Sequence, residues 1–232
     1  METNIQEIRD VVKTLYLAVK PKIGDFGIVV HPIIPNQVIP KRCNGETIWL
    51  DIEKDYDEIK NIYFDIINNS DLWRLMILID KPWKLTFFKY VNQYLSPKDY
   101  AEILKSCWTE EENPNQDCNV STNEAVKFFK KAKKNLIMDK DELKHYNQFK
   151  DEVIVYRGVT EGHERLGLSW TDNKEKAEWF KDRYKHLGRS GYLLQAKIKK
   201  KDILCYLNCR DEQEVVIDIK KLKDIQEVDF YE

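Results

Sequence analysis

Apolar side chains recur at helical spacing through residues 4–20, where Ile5, Ile8, Val11, Val12, Leu15 and Leu17 share a face and Pro21 closes the pattern. This predicts an amphipathic helix. The next stretch, DFGIVVHPIIPNQVIP, reads as a short strand over residues 28–30 interrupted by Pro32, Pro35 and Pro40, with ETIWLDI as another extended piece. From Lys54 to Ile79 the period is helical again, with a break expected at Asn68-Asn69-Ser70, and residues 84–94 continue it.

Two helix starts are signalled chemically. In LSPKDYAEILKSCW, Ser96 suits a cap, Pro97 the first helical position and Asp99 the positive first turn. In VSTNEAVKFFKKAKK, Ser121 and Glu124 have capping-box spacing, and Lys127, Lys130, Lys131, Lys133 and Lys134 make a basic surface that is either a solvated face or a docking face for RNA or protein. After Lys150 the texture changes to strands, EVIVYRGV, GLSW, GYLLQAKI, ILCYL and EVVIDI, with one helix, DNKEKAEWFKDRY, between them. Helices first and then a mostly antiparallel sheet predict an α+β fold. The expected divisions are an N-terminal helix and irregular extended segment over 1–52, a helical lobe over 53–149 and a β-rich core over 150–232.

With 232 residues, 42% of them hydrophobic, the chain can bury a substantial core. Its formal charge of −2 excludes a global basic field for nucleic acid, so any charged binding surface is local. Five cysteines, Cys43, Cys107, Cys118, Cys205 and Cys209, form an odd set without framework spacing, which fits free thiols in a reducing cytosol. The charged N-terminus has no signal-peptide core and no run approaches membrane-spanning length. The expectation is a cytoplasmic protein with no membrane partner.

Candidate chemistry falls on three strand ends. Arg157 follows the run Val153-Ile154-Val155 and is either a solvent-facing charge or a bidentate anchor for an anionic group, and Gly158 would let a ligand approach the backbone. Ser169 and Thr171 alternate, so their hydroxyls share a face, with Thr171 also a candidate cap for the following helix. Glu212 and Glu214 alternate where a polar turn meets Val215-Val216-Ile217, so both are expected on one face of the strand's beginning, as surface carboxylates or as a reactive pair.

In this order the pieces Tyr156-Arg157, Ser169-x-Thr171 and Glu212-x-Glu214 closely resemble the arginine–serine–glutamate class of mono-ADP-ribosyltransferases, a family of bacterial toxins and phage-encoded modifiers. The resemblance covers residues from about 150 to 220, and implies one domain over 53–232 in which a split, curved pair of sheets grips NAD as co-substrate. It further implies that Glu214 stabilises the sugar cation as the nicotinamide bond breaks, and that Glu212 prepares the nitrogen acceptor. Arg157 would hold the pyrophosphate or a ribose, with Tyr156 beside it opening the site. Ser169 would orient Glu214, Thr171 would shape the ribose site and Gly158 would lie against nicotinamide. The turn before the motif would recognise substrate, with Tyr206 as an aromatic contact. The implied acceptor is a macromolecule, protein arginine or a nucleic-acid base, and an antitoxin or chaperone is a candidate partner, as for a toxin or phage-defence effector.

Other readings compete. Cys205 and Cys209 with His163 or His186 lack the spacing of a zinc site, and no metal is expected. A glycosidase needs carboxylates flanking the sugar, whereas same-face strand positions about 7 Å apart approach from one side. A catalytically inert nucleotide- or partner-binding module of the same fold, or an NAD glycohydrolase, remains as an alternative. Trp49, Trp73, Trp83 and Trp108 read as packing residues, and the polar loop CWTEEENPNQD as a border of the NAD site.

Overall fold

The computed structural model describes residues 2–25 and 28–228, and the chain divides into two compact units, Met1–Asp99 with Glu110–Glu112, and Tyr100–Thr109 with Asn113–Glu232. In the first, α1 (Ile5–Val12) starts where the Asn4 side chain accepts from the Glu7 N–H, and buries Ile8 and Val12. The helix then widens into a π-turn over Lys13–Leu17 that buries Tyr16 and Leu17. Sequence periodicity marks this face but not the change of helix type.

Strand β1 (Lys22–Ile23) pairs with β2 (Val29–Val30), and β3 (Val38–Cys43) with β4 (Glu46–Asp51), both antiparallel. The second hairpin turns at Asn44-Gly45, where both residues have positive φ, 51° and 87°. That backbone matches strand twist in a two-residue connection, which Asn-Gly supplies cheaply. Pro40 sits in β3 opposite Trp49, tolerated because a two-stranded ribbon consists of edge strands.

Helix α2 (Tyr56–Asn69) buries Ile59, Tyr63 and Ile67 one turn apart, and stops at Ser70, whose hydroxyl donates back to the Ile66 carbonyl. Asp71 caps α3 (Leu72–Leu78), and α4 (Lys84–Val91) buries Leu85, Phe87, Phe88 and Val91. Each such side chain contributes about 2 kcal/mol by leaving water.

The second unit takes residues 100–109 of α5 (Pro97–Glu110). Ser96 caps that helix through the Asp99 N–H, as its sequence predicts. Then follow α6 (Thr122–Lys131), with both halves of the Ser121–Glu124 capping box formed, α7 (Lys134–Ile137) and α8 (Lys140–Gln148), started by a second box between Asp139 and Glu142.

The strands are β5 (Glu152–Thr160), β6 (Ser169–Thr171), β7 (Gly191–Lys199), β8 (Ile203–Leu207), β9 (Glu214–Ile217) and β10 (Lys223–Glu227), with α9 (Lys174–Asp182) after β6. They form one antiparallel sheet in the order β10-β7-β5-β6-β9-β8. The fold is α+β. Strands β5 and β7 pair along nine positions, whereas β5 and β6 pair only at Tyr156 with Thr171. Two three-stranded halves therefore meet at a single pair. Val153, Val155 and Val159 of β5 and Leu194, Ala196 and Ile198 of β7 line the buried face. Among the described residues no cysteine is in a disulfide, and no helix is long and apolar enough to cross a membrane.

Candidate active site

One row of paired residues crosses the junction between the halves: Gln195 of β7, Tyr156 of β5, Thr171 of β6, Glu214 of β9 and Leu207 of β8. Antiparallel partners share a sheet face, so this register brings Tyr156, Thr171 and Glu214 side by side. Ser169 lies two residues back along β6, on the Thr171 side.

Glu214 is partly buried and is held by two donors. The Trp108 indole N–H donates to its Oε1 at 2.9 Å, and the Ser169 hydroxyl hydrogen-bonds its carboxylate. Burial raises the carboxyl pKa above the usual range, the two hydrogen bonds pull it down, the nearby Glu212 charge raises it and Arg157 lowers it, the net direction being upward. Trp108 is itself held by edge-on packing against Phe129, with ring centroids 5.0 Å apart and planes at 89°. It is a packing residue, and its one polar atom points at the candidate catalytic carboxylate.

Arg157 donates from its two terminal nitrogens to main-chain carbonyls, at 2.6 Å to Ser169 and 3.0 Å to Glu164. Its Nε is buried without a hydrogen-bond partner among the described residues. Burial pushes its pKa down to about 10, against the pull of Glu214 and Glu164, so it stays cationic at neutral pH. Some of its five donors are thus spent on holding β6 in place, which makes it a support of the site as well as a fixed positive charge.

Asn115 supplies a second clamp. Its Oδ1 accepts from the Leu168 N–H at 2.6 Å and its Nδ2 donates to the Ser169 hydroxyl at 3.1 Å, so it orients the serine that bonds Glu214. Gly167 makes room for this, since a Cβ there would lie 2.6 Å from Asn115 Cγ and 2.8 Å from an Arg157 terminal nitrogen. Asn115 belongs to the polar loop expected at the site border. Nothing in its local sequence singles it out.

Glu212 departs from the same-face expectation. It ends a 3-10 turn over Cys209–Asp211 with helical φ/ψ, and the strand starts only at Glu214. Gln213 between them has φ 51°, which breaks the two-residue alternation. Arg210 and Asp211 also have positive φ, 60° and 57°, at a cost of order 1 kcal/mol each. Cross-links hold this strained turn: Asn208 Oδ1 accepts from the Gln213 N–H at 3.1 Å, Asn173 Nδ2 donates to Gln213 Oε1 at 2.8 Å, Lys176 pairs with Asp211 at 2.8 Å, and Arg210 donates to the Thr109 carbonyl at 2.5 Å. Arg210 Nε lies 3.3 Å from Glu212 Oε1. Burial nonetheless raises the Glu212 pKa, with Arg210, Arg183 and Lys176 opposing.

Position bears on three other expectations. Tyr206 is not in the turn: it lies within β8 opposite Val215, buried, with its ring stacked on His145 at 4.2 Å, and burial pushes its pKa to about 12. Gly158 does not leave its backbone open on the α9 side, because a Cβ there would stand 2.0 Å from the Ala177 carbonyl oxygen and 2.4 Å from the Lys181 nitrogen. The missing side chain admits α9. Thr171 does not cap that helix; Asn173 does, through the Glu175 and Lys176 N–H groups, while Thr171 Oγ1 accepts from the Asn173 N–H at 3.1 Å.

The geometry collects one desolvated carboxylate, a fixed guanidinium, an oriented hydroxyl and a second carboxylate on a strained turn. Comparison with protein-family models, with curated proteins and with solved structures finds no match to the chain.

Proposed function

We propose that the protein is an NAD-dependent mono-ADP-ribosyltransferase that transfers ADP-ribose to a nitrogen of a macromolecule. The observation that carries this reading is the Glu214 carboxylate, oriented by Trp108 and Ser169 beside the Arg157 cation. The motif order along the chain and the narrow junction of two three-stranded halves support the split-sheet fold that the reading requires.

The residues suit NAD. Its pyrophosphate is an anion and Arg157 is a buried cation with donors to spare, including an orphaned Nε. As the bond between nicotinamide and ribose breaks, its electron pair leaves with nicotinamide and positive charge grows on the sugar, where a preorganised carboxylate is worth most. Glu214 fills that role, and its two hydrogen bonds remove the need to reorient it during the reaction. Glu212 takes the proton that the acceptor nitrogen loses on forming the new bond; burial raises its pKa, which strengthens it as a base. The alternative is NAD hydrolysis, with water as acceptor, favoured by the Arg210 side chain already engaging Glu212.

Turnover of NAD by wild type and by Glu214→Gln tests the reading. Loss in the variant is expected, and comparable turnover overturns it. Incubation with labelled NAD and cell extract, followed by protease or nuclease, then separates transfer from hydrolysis.

A further inference from the structure

The outer side of α9 and the turn after it carry a series of rings and cations that the site above leaves unused. Trp179 is 57% exposed, with its ring edge-on to Phe180. One turn on, the Arg183 guanidinium lies 5.8 Å from the Trp179 ring and 5.3 Å from the Tyr184 ring. Arg189 approaches Tyr184 at 5.8 Å, and His163 stacks parallel to Tyr184 at 5.9 Å. Among the described residues neither arginine makes a hydrogen bond or ion pair through its guanidinium, so both cations are displayed on aromatic faces without a carboxylate in contact.

The lysines of α6 and α7 offer a contrast. Lys130 is paired with Asp218 at 2.7 Å, Lys131 lies over the Tyr100 ring, and Lys134 donates to Tyr146 and to the Ile203 carbonyl. Lys130 and Lys134 are thereby engaged by polar partners within the fold, while Lys131 rests on a ring as Arg183 and Arg189 do.

Helix α9 is also tied to the turn that carries Glu212. Asn173 at its start bonds Gln213, and Lys176 in its first turn bonds Asp211, on either side of Glu212. Arg183 lies two turns beyond Lys176, about 10 Å along the axis. Without touching it, its charge acts through space on Glu212, where it opposes the effect of burial.

We propose that Trp179, Arg183, Tyr184 and Arg189 form the acceptor-binding surface and take single-stranded nucleic acid, with a base stacked on Trp179 and phosphates at the two arginines. This rests on the transferase reading of the Glu214 site and names its substrate class. An exposed indole beside cations that no ion pair engages matches an unstacked base and a phosphodiester chain. A protein arginine would instead bring a cation to a surface already bearing Arg183, Lys185 and Arg189, and pay for the repulsion. In the transfer, the ribose–nicotinamide C–N bond breaks with its electron pair going to nicotinamide. A base amino nitrogen bonds the ribose carbon, and its proton passes to Glu212.

The test is fluorescence anisotropy, without NAD, using a labelled mixed-sequence oligonucleotide as RNA, as DNA and as duplex, and an arginine-rich peptide. The single strands are expected to bind, more weakly as salt rises. Trp179→Ala, Arg183→Gln and Arg189→Gln are each expected to weaken them roughly ten-fold, while Lys127→Gln leaves binding unchanged. The RNA-to-DNA ratio then names the source of the strand. All substituted side chains lie at the surface, and circular dichroism checks that each variant folds. Absence of single-strand binding at low salt, equal affinity in the variants, or preference for the peptide overturns the proposal. Absence of NAD turnover in wild type overturns the reading of the Glu214 site instead, and the binding result is independent of it.

Discussion

Trp108 and Glu214, 106 residues apart, are joined by a 2.9 Å hydrogen bond from the indole N–H to the carboxylate. A residue that packs on Phe129 thereby holds the group on which the proposed chemistry depends. A hydrogen bond to a charged group contributes about 1.5–3 kcal/mol. Trp108→Phe keeps the ring and removes the donor, so NAD turnover is expected to fall roughly ten- to hundredfold. Loss of a donor to the charged form also raises the Glu214 pKa, moving the acid limb of the pH–rate profile upward. Unchanged kcat with an unchanged profile would mean that Trp108 only packs.

The two glutamates are expected to differ in their effects. Glu214→Gln abolishes both NAD hydrolysis and transfer, whereas Glu212→Gln weakens transfer more than hydrolysis. Parallel assays of nicotinamide release and of label incorporation check this, and equal loss of both activities in Glu212→Gln contradicts the division of roles.

Glu214 should also cost stability at neutral pH. Burial raises its folded pKa above the unfolded value, so the folded state binds the proton more tightly. Stability from this group is therefore present below the ordinary carboxylate pKa and is lost as pH rises toward the raised folded value. Glutamine can accept from Trp108 and donate to Ser169, so Glu214→Gln is expected to melt at a higher temperature than wild type at pH 7, with the gap closing toward pH 4. Thermal scans across that range read it directly; a lower melting temperature for the variant at pH 7 refutes it.

Gly158 is expected to tolerate no side chain. A Cβ at 2.0 Å from the Ala177 carbonyl meets helix backbone, which cannot swing aside as a side-chain tip does. Gly158→Ala should lose about 3 kcal/mol in urea unfolding. At Gly24 the nearest atom to an added Cβ is 3.6 Å away, so Gly24→Ala should change stability by no more than about 0.5 kcal/mol. Similar midpoints for the two variants would show that α9 yields at no cost.

What the sequence determined by itself is the set of elements and their buried faces. Ile59, Tyr63 and Ile67 mark one side of α2, the Ser96 and Ser121 signals start α5 and α6, and alternation through Val153 and Val155 defines the inner face of β5. Helix period, caps and strand alternation are local, so one chain read in order is enough to expose them. The pairing of β3 with β4 across Asn44-Gly45 goes beyond the separate extended pieces that the sequence pattern marks. Tertiary structure alone decided which elements became neighbours. Arg157, Ser169 and Glu214 meet because β5, β6 and β9 are consecutive in the sheet though not in the chain. Trp108 and Asn115 join them from α5 and the loop after it, where no local pattern marks them. Glu212 leaves the face of Glu214 because Gln213 takes a positive φ, held there by Asn173 and Asn208. Such contacts depend on the strand register and on hydrogen bonds between distant segments, whereas the local pattern records only which side of each segment avoids water.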